Sequence, residues 1–297
     1  MAVRKLTLLA ALVLVFVPAA AGRTFARSAG ATFLADVPGF TLVRTGPDGG
    51  TVWQGHIPNR EVDDPRLSDV YLPPDYSPTE SYRVVYFLHG FWGDPSSFIH
   101  GMHFAEIADA QIASGRAAPF IGVMAPGGPI TKTTSDEWAG VWETFVVHDV
   151  IPWVDAHLPA DPSSRAIAGL SAGGYGAVDI GLRHPRLFDT LESWAGYFHP
   201  FRDGPFVEAD RAVLDAHDPT LLVEREAPVL RRRDLRFFLS TGRSGHGAVA
   251  ARWTFEYADL LQRLHLRHRL WVLPAKDRGH LYRTQLPAAI DYASPPT

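Results

Sequence analysis

Cysteine is absent from the 297 residues. That excludes disulfides, thiolate metal sites, a cysteine nucleophile and a lipidated N-terminal cysteine. Lysine is scarce: Lys5, Lys132 and Lys276 are the only three among 28 basic residues. None of them stands directly after the Gly-rich turn at 169–176, so a phosphate-binding P-loop is excluded there. A basic excess is missing as well; a net charge of −4 leaves no electrostatic footprint for nucleic acid. Apart from the N-terminus, no run is long and apolar enough to cross a bilayer. Internal repeats and low-complexity linkers are also missing. His100 with His103, and His265 with His268, have near-ligand spacing but no evident carboxylate partner, so neither a metal nor another cofactor is expected.

What remains is a chain with 46% hydrophobic residues, ample for one large core. Its N-terminus has a basic start (Arg4, Lys5), an apolar run from Leu6 to Val17 and a small-residue stretch, Ala19-Ala20-Ala21. This is the layout of a secretory signal peptide, with residues 1–21 removed. The alternative is a retained membrane anchor. Cleavage implies a secreted protein with no stable membrane insertion afterwards. Residues 22–38 are a lead segment, and 39–297 form one domain.

Strand and helix signals alternate through that domain. The pattern predicts a hairpin from Phe40–Arg44 and Thr51–His56 around a Gly-rich turn, then strands at Leu67–Leu72, Arg83–Leu88 and Ala118–Met124. Helical periodicity covers Phe104–Ser114 and Trp142–His157. Further strands are predicted at 166–168, 190–195, 235–240 and 269–273, with helices at 174–182, 248–264 and beyond His280. Residues 196–233 lose this regularity, apart from a short helix around Glu208 to Ala216, and read as a small partial cap. The alternation predicts an α/β fold with a mostly parallel central sheet and helices on both faces.

The chemistry centres on Gly169-Leu170-Ser171-Ala172-Gly173, a G-x-S-x-G turn between a buried strand and a small-residue helix. Such a turn exposes the serine hydroxyl above the sheet edge as a nucleophile. Acyl transfer also needs two donors for the developing oxyanion. One is the backbone N–H after the nucleophile, Ala172. The other belongs to the loop His89-Gly90-Phe91-Trp92 after the strand 83–88, at Phe91 or Trp92. His280, after Gly279 in the loop beyond the last strand, is the candidate general base.

Taken together, His89-Gly90, Trp142-Glu143-Thr144-Phe145, the run Ala168 to Ala177 and Gly279-His280 resemble the esterase D-type branch of the α/β-hydrolases. That branch contains S-formylglutathione hydrolases, feruloyl esterases and secreted mycolyltransferases. The similarity covers roughly residues 65–290. It implies an α/β-hydrolase fold, a Ser171 acyl-enzyme, His280 as base and an oxyanion hole from the Phe91 and Ala172 amides. The substrate would be a small-molecule or cell-wall ester, with Trp92, Trp142 and Tyr175 as candidate binding residues. Two departures stand out. The loop Thr241 to Gly247 carries no carboxylate where related enzymes place the triad acid, which leaves His246, Glu256, Asp259, Asp277 or no residue at all. The residue after the oxyanion donor is Trp92, where mycolyltransferases carry a trehalose-binding Arg. Ester hydrolysis is therefore the leading expectation. Acyl transfer to a sugar hydroxyl is one alternative, and a non-catalytic carbohydrate- or cell-wall-binding protein on the same fold is another.

Overall fold

In a computed structural model, residues 33–61, 63–128, 137–243, 247–274 and 278–296 are described. The leader at 1–21, most of the lead segment, His246 and Asp277 fall outside them. One nine-stranded sheet runs in the order β1-β2-β3-β5-β4-β6-β7-β8-β9. The strands are β1 (Thr41–Thr45), β2 (Thr51–Gly55), β3 (Ser68–Leu72), β4 (Tyr82–Leu88), β5 (Phe120–Met124), β6 (Ala160–Leu170), β7 (Thr190–Trp194), β8 (Arg236–Gly242) and β9 (Arg267–Leu273). The first three pair antiparallel, and β3 meets β5 antiparallel. From β5 to β9 every pairing is parallel.

The inner strands are buried on both faces, and their period of two divides the core. Val84, Tyr86 and Leu88 of β4 point into one apolar cluster, Val85 and Phe87 into the other. Helices α1 (Phe104–Ala113) and α8 (Arg278–Ala293) cover the second face, through Phe104, Ala108, Leu286 and Ile290. The first is covered by α2 (Val141–Thr144), α3 (Ile151–His157), α4 (Ala172–Arg183), α6 (Pro219–Arg232) and α7 (Gly247–Arg263). A π-helical turn, Phe145–Val150, joins α2 to α3. At the antiparallel end, buried Asp109 of α1 pins the β1–β2 turn. Its carboxylate accepts from the backbone N–H groups of Asp48 (3.0 Å) and Gly50 (3.1 Å) and from the Tyr71 hydroxyl (2.7 Å).

Two expectations change. The irregular stretch ends earlier than residue 233. Asp218 accepts from the Thr220 and Leu221 N–H groups and caps α6. Leu222, Val223, Ala227 and Leu230 of that helix are buried in the first core cluster. The second half of the supposed cap is thus a sheet-flanking helix, and the excursion is confined to 195–218, with a 3-10 turn at Gly204–Phe206 and one short α-helix, α5 (Arg211–Ala216). His280, expected in a loop, lies in the first turn of α8.

The topology fixes where a site can form. From β4 the chain crosses to β5 on one side, then returns to β6 on the other. The carboxyl ends of β4 and β6, paired at Leu88 and Gly169, flank this switch point. In open α/β sheets the crevice at such a point is where ligands bind.

Candidate active site

Strand β6 ends at Leu170 and α4 begins at Ala172, so Ser171 makes the whole connection. It does so at φ 54°, ψ −117°, a conformation that costs a non-glycine residue about 1–3 kcal/mol. The turn is held from outside: the Ser171 N–H donates to the Trp194 carbonyl at 2.9 Å. Its flanks admit no side chain. A Cβ on Gly169 would stand 2.1 Å from the Gly173 carbonyl oxygen, and one on Gly173 would stand 2.0 Å from that of Leu88. The serine is half-buried, and Ala172 opens the helix, where a first-turn N–H has no intrahelical acceptor.

The loop after β4 lies against this turn. A Cβ on Gly90 would come within 3.1 Å of Ser171 Cβ and 2.9 Å of Leu170 Cδ1. The next peptide is held by its carbonyl. Gly90 O accepts from His89 Nδ1 at 2.9 Å and from the Gly93 N–H at 3.0 Å. The ring tautomer follows from the other nitrogen: Nε2 accepts from the Gly127 N–H at 3.1 Å, so Nδ1 carries the proton. Burial lowers the His89 pKa to about 4, so the ring is neutral at ordinary pH. The Trp138 indole N–H then donates to the His89 carbonyl at 2.9 Å. Arg66, paired with Asp64, donates to the Gly127 carbonyl at 2.6 Å and fixes the far side of the clamp. A trans peptide carries its C=O and the following N–H in opposite directions. Holding Gly90 O in this way sets the direction of the Phe91 N–H.

The remaining candidates separate. Phe91 is half-buried against a cluster containing Ala172, Tyr175 and Tyr197. Trp92, at φ 60°, is 92% exposed and offers an open aromatic face. Trp142 and Tyr175 are fully buried and present no surface to a ligand, which corrects their expected role as binding residues. Trp142 lies under the Arg66 guanidinium, 5.4 Å from its carbon. Tyr175 stacks on Tyr197 (4.9 Å, 12°) and donates to the His217 carbonyl at 2.8 Å. One helical turn along α4, buried Asp179 holds His217 Nδ1 at 2.8 Å, and Arg183 reaches the Ala216 carbonyl at 2.9 Å. This row of three ties the end of the excursion to the helix that carries Ser171. Sequence reasoning missed it, although the spacing of four was visible.

His280 is exposed in the first turn of α8, which starts five residues after β9 ends. Of the candidate acids, Glu256 and Asp259 sit on the solvent face of α7, with Glu256 paired to Arg252 at 2.8 Å. His246 and Asp277 lie outside the described residues.

Comparison with known proteins places the chain in a family. The family model described as "Putative esterase" matches residues 60–265. An endo-1,4-beta-xylanase/feruloyl esterase of Xylanibacter ruminicola is 35% identical over 137 residues, 41% of this chain and 18% of that protein. Esterase Rv1288 of Mycobacterium tuberculosis is 30% identical over 199 residues, 59% of this chain and 42% of that protein. The matches therefore span less than half the length of either relative. Among solved structures, a ferulic acid esterase superposes with a TM-score of 0.71 at 19% identity, covering 82% of this chain and 98% of that one. With the sheet order, the serine turn and the family match in agreement, the chain belongs to the esterase D-type α/β-hydrolases.

Proposed function

We propose that the protein is a serine carboxylic-ester hydrolase with Ser171 as nucleophile and His280 as general base. Ser171 Oγ attacks the ester carbonyl carbon while the imidazole takes the hydroxyl proton. The carbonyl π pair moves onto oxygen, where the Phe91 and Ala172 amides donate to it. Collapse of this intermediate breaks the bond to the alcohol, which leaves with the proton from His280. Water then adds to the acyl-enzyme through the same base, and release of the carboxylic acid returns the proton to Ser171. Among the comparisons, names that include feruloyl esterase support an ester with an aromatic acyl group as a first substrate to try. The apolar N-terminal run supports secretion, so the ester would be met outside the cytoplasm.

The observation that carries this reading is Ser171 itself, a non-glycine residue at φ 54° with Gly90 against its Cβ. Strain of this kind clusters at active sites, and here it falls on the hydroxyl at the switch point of the sheet. The test is labelling by a fluorophosphonate probe together with hydrolysis of p-nitrophenyl acetate. Wild-type protein labels at Ser171, and Ser171→Ala abolishes both labelling and turnover. An unlabelled Ser171 in folded protein, or wild-type rates in the variant, overturns the proposal.

A further inference from the structure

A second cleft opens between α6, α7 and the segment that follows β7. Its volume is about 250 Å³, below the roughly 300–1,000 Å³ of pockets for drug-sized ligands. It therefore has room for one ring-sized group. Phe198 and Tyr257 form part of its lining, both buried and stacked at 3.9 Å and 5°. The half-buried Trp253 is a wall. The polar lining mixes signs: Glu224 from α6, with Glu256 and Arg263 from α7, beside Thr220 and His199, whose Nδ1 is bonded to Asp218. Glu256 Oε1 accepts from Arg252 Nε at 2.8 Å, which leaves Oε2 as an acceptor.

This chemistry selects among ligands. Two carboxylates oppose an anion, and the guanidinium opposes a simple cation. An acyl chain would match the aromatic part of the lining alone and make no use of the polar groups. A neutral sugar ring satisfies both parts at once. Its C–H face stacks on the indole, while its hydroxyls donate to the carboxylates and accept from the guanidinium. Trp253 also links the cleft to the serine. Its ring meets Phe201 (5.9 Å) and Tyr197 (6.4 Å), and Tyr197 stacks on Tyr175, in one cluster with Ala172.

We propose that this cleft is a subsite for a neutral saccharide unit, with Trp253 as platform and Glu224, Glu256 and Arg263 as hydroxyl partners. Binding itself does not depend on the catalytic assignment; its use, to hold the sugar part of an ester, rests on the esterase reading.

The test is saturation-transfer NMR and calorimetry on the full chain with xylobiose, cellobiose and maltose, and glucuronate as the anionic control. The expected result is saturable binding of at least one neutral disaccharide at about 1–10 mM, with glucuronate weaker. Trp253→Ala and Glu224→Gln should each weaken it about tenfold. Glu224 is exposed, so its variant keeps the test decisive if Trp253→Ala fails to fold. No saturation up to about 100 mM, binding undiminished in Glu224→Gln, or glucuronate binding more tightly overturns the proposal. Fluorophosphonate labelling of the same unmodified protein is scored separately. Sugar binding with an unlabelled Ser171 removes the esterase reading and keeps the subsite, and the converse result removes only the subsite.

Discussion

His89 makes two hydrogen bonds with two ring nitrogens, and conservative amides separate them. An asparagine side-chain nitrogen superposes on Nδ1; a glutamine amide reaches the position of Nε2. His89→Asn therefore keeps a donor for the Gly90 carbonyl but leaves the buried Gly127 N–H without its acceptor. An orphaned buried donor costs about 1–3 kcal/mol of stability. His89→Gln keeps an acceptor for Gly127 and loses the donor to Gly90 O. That carbonyl still has the Gly93 N–H at 3.0 Å, so one of two holds on the peptide is lost. One hydrogen bond contributes about 0.5–1.5 kcal/mol, which here biases the direction of the Phe91 amide. Removing an oxyanion donor outright costs about 10²–10³ in kcat. Loosening one should cost less, about 3- to 15-fold, with KM within about twofold because the amide acts on the transition state. The assay is steady-state hydrolysis of p-nitrophenyl acetate beside urea unfolding of each variant. Glutamine should lose rate and keep stability; asparagine should lose stability and keep rate. Equal loss of kcat in the two, or the reverse order, refutes the peptide-clamp reasoning.

Two further outcomes follow from the same region. Gly173→Ala should abolish soluble, active protein, because its Cβ would overlap the Leu88 carbonyl at 2.0 Å, whereas Gly101→Ala, with nothing within 4 Å, should shift Tm by no more than a degree or two; circular dichroism melts compare them. The His89 pKa is lowered from 6.5 to about 4, so the unfolded chain binds the extra proton between those values. Stability from this group is full above pH 6.5 and falls as pH drops toward 4, by about 3 kcal/mol. His89→Gln should flatten the pH dependence of the urea midpoint in that window; an unchanged slope would show that the ring titrates alike in both states.

The parts legible in sequence were those written locally. Val84 to Leu88 alternates between two cores and Ser171 lies between two obligatory glycines, so strand and turn could be read within a dozen residues. Helix α6 is hard to read although its start is signalled: Asp218 and Pro219 are a cap and a first-turn proline. Pro228 inside the helix and its run of charges hid the apolar stripe of Leu222, Val223, Ala227 and Leu230. His280 reads as a loop residue because Gly279 precedes it, yet α8 starts at Arg278 and takes both into its first turn.

Tyr175 shows why binding residues are harder to read than the nucleophile. Four positions after Ser171, it falls on the same side of α4, which is a sound reason to expect it in the cleft. What covers it comes from far along the chain: Tyr197 stacks on its ring and His217 takes its hydroxyl. Asp179 and Arg183, at the same spacing, grip residues 217 and 216. The row that looked like a binding face is occupied by the protein's own excursion. A nucleophile is declared by the strain of one turn. The wall of a cleft is decided by which distant segment packs against it, and here that segment seals Tyr175 while leaving Trp92 and Trp253 with accessible rings. Specificity should accordingly respond to substitutions at those two tryptophans rather than at Trp142 or Tyr175, whose loss would act through folding.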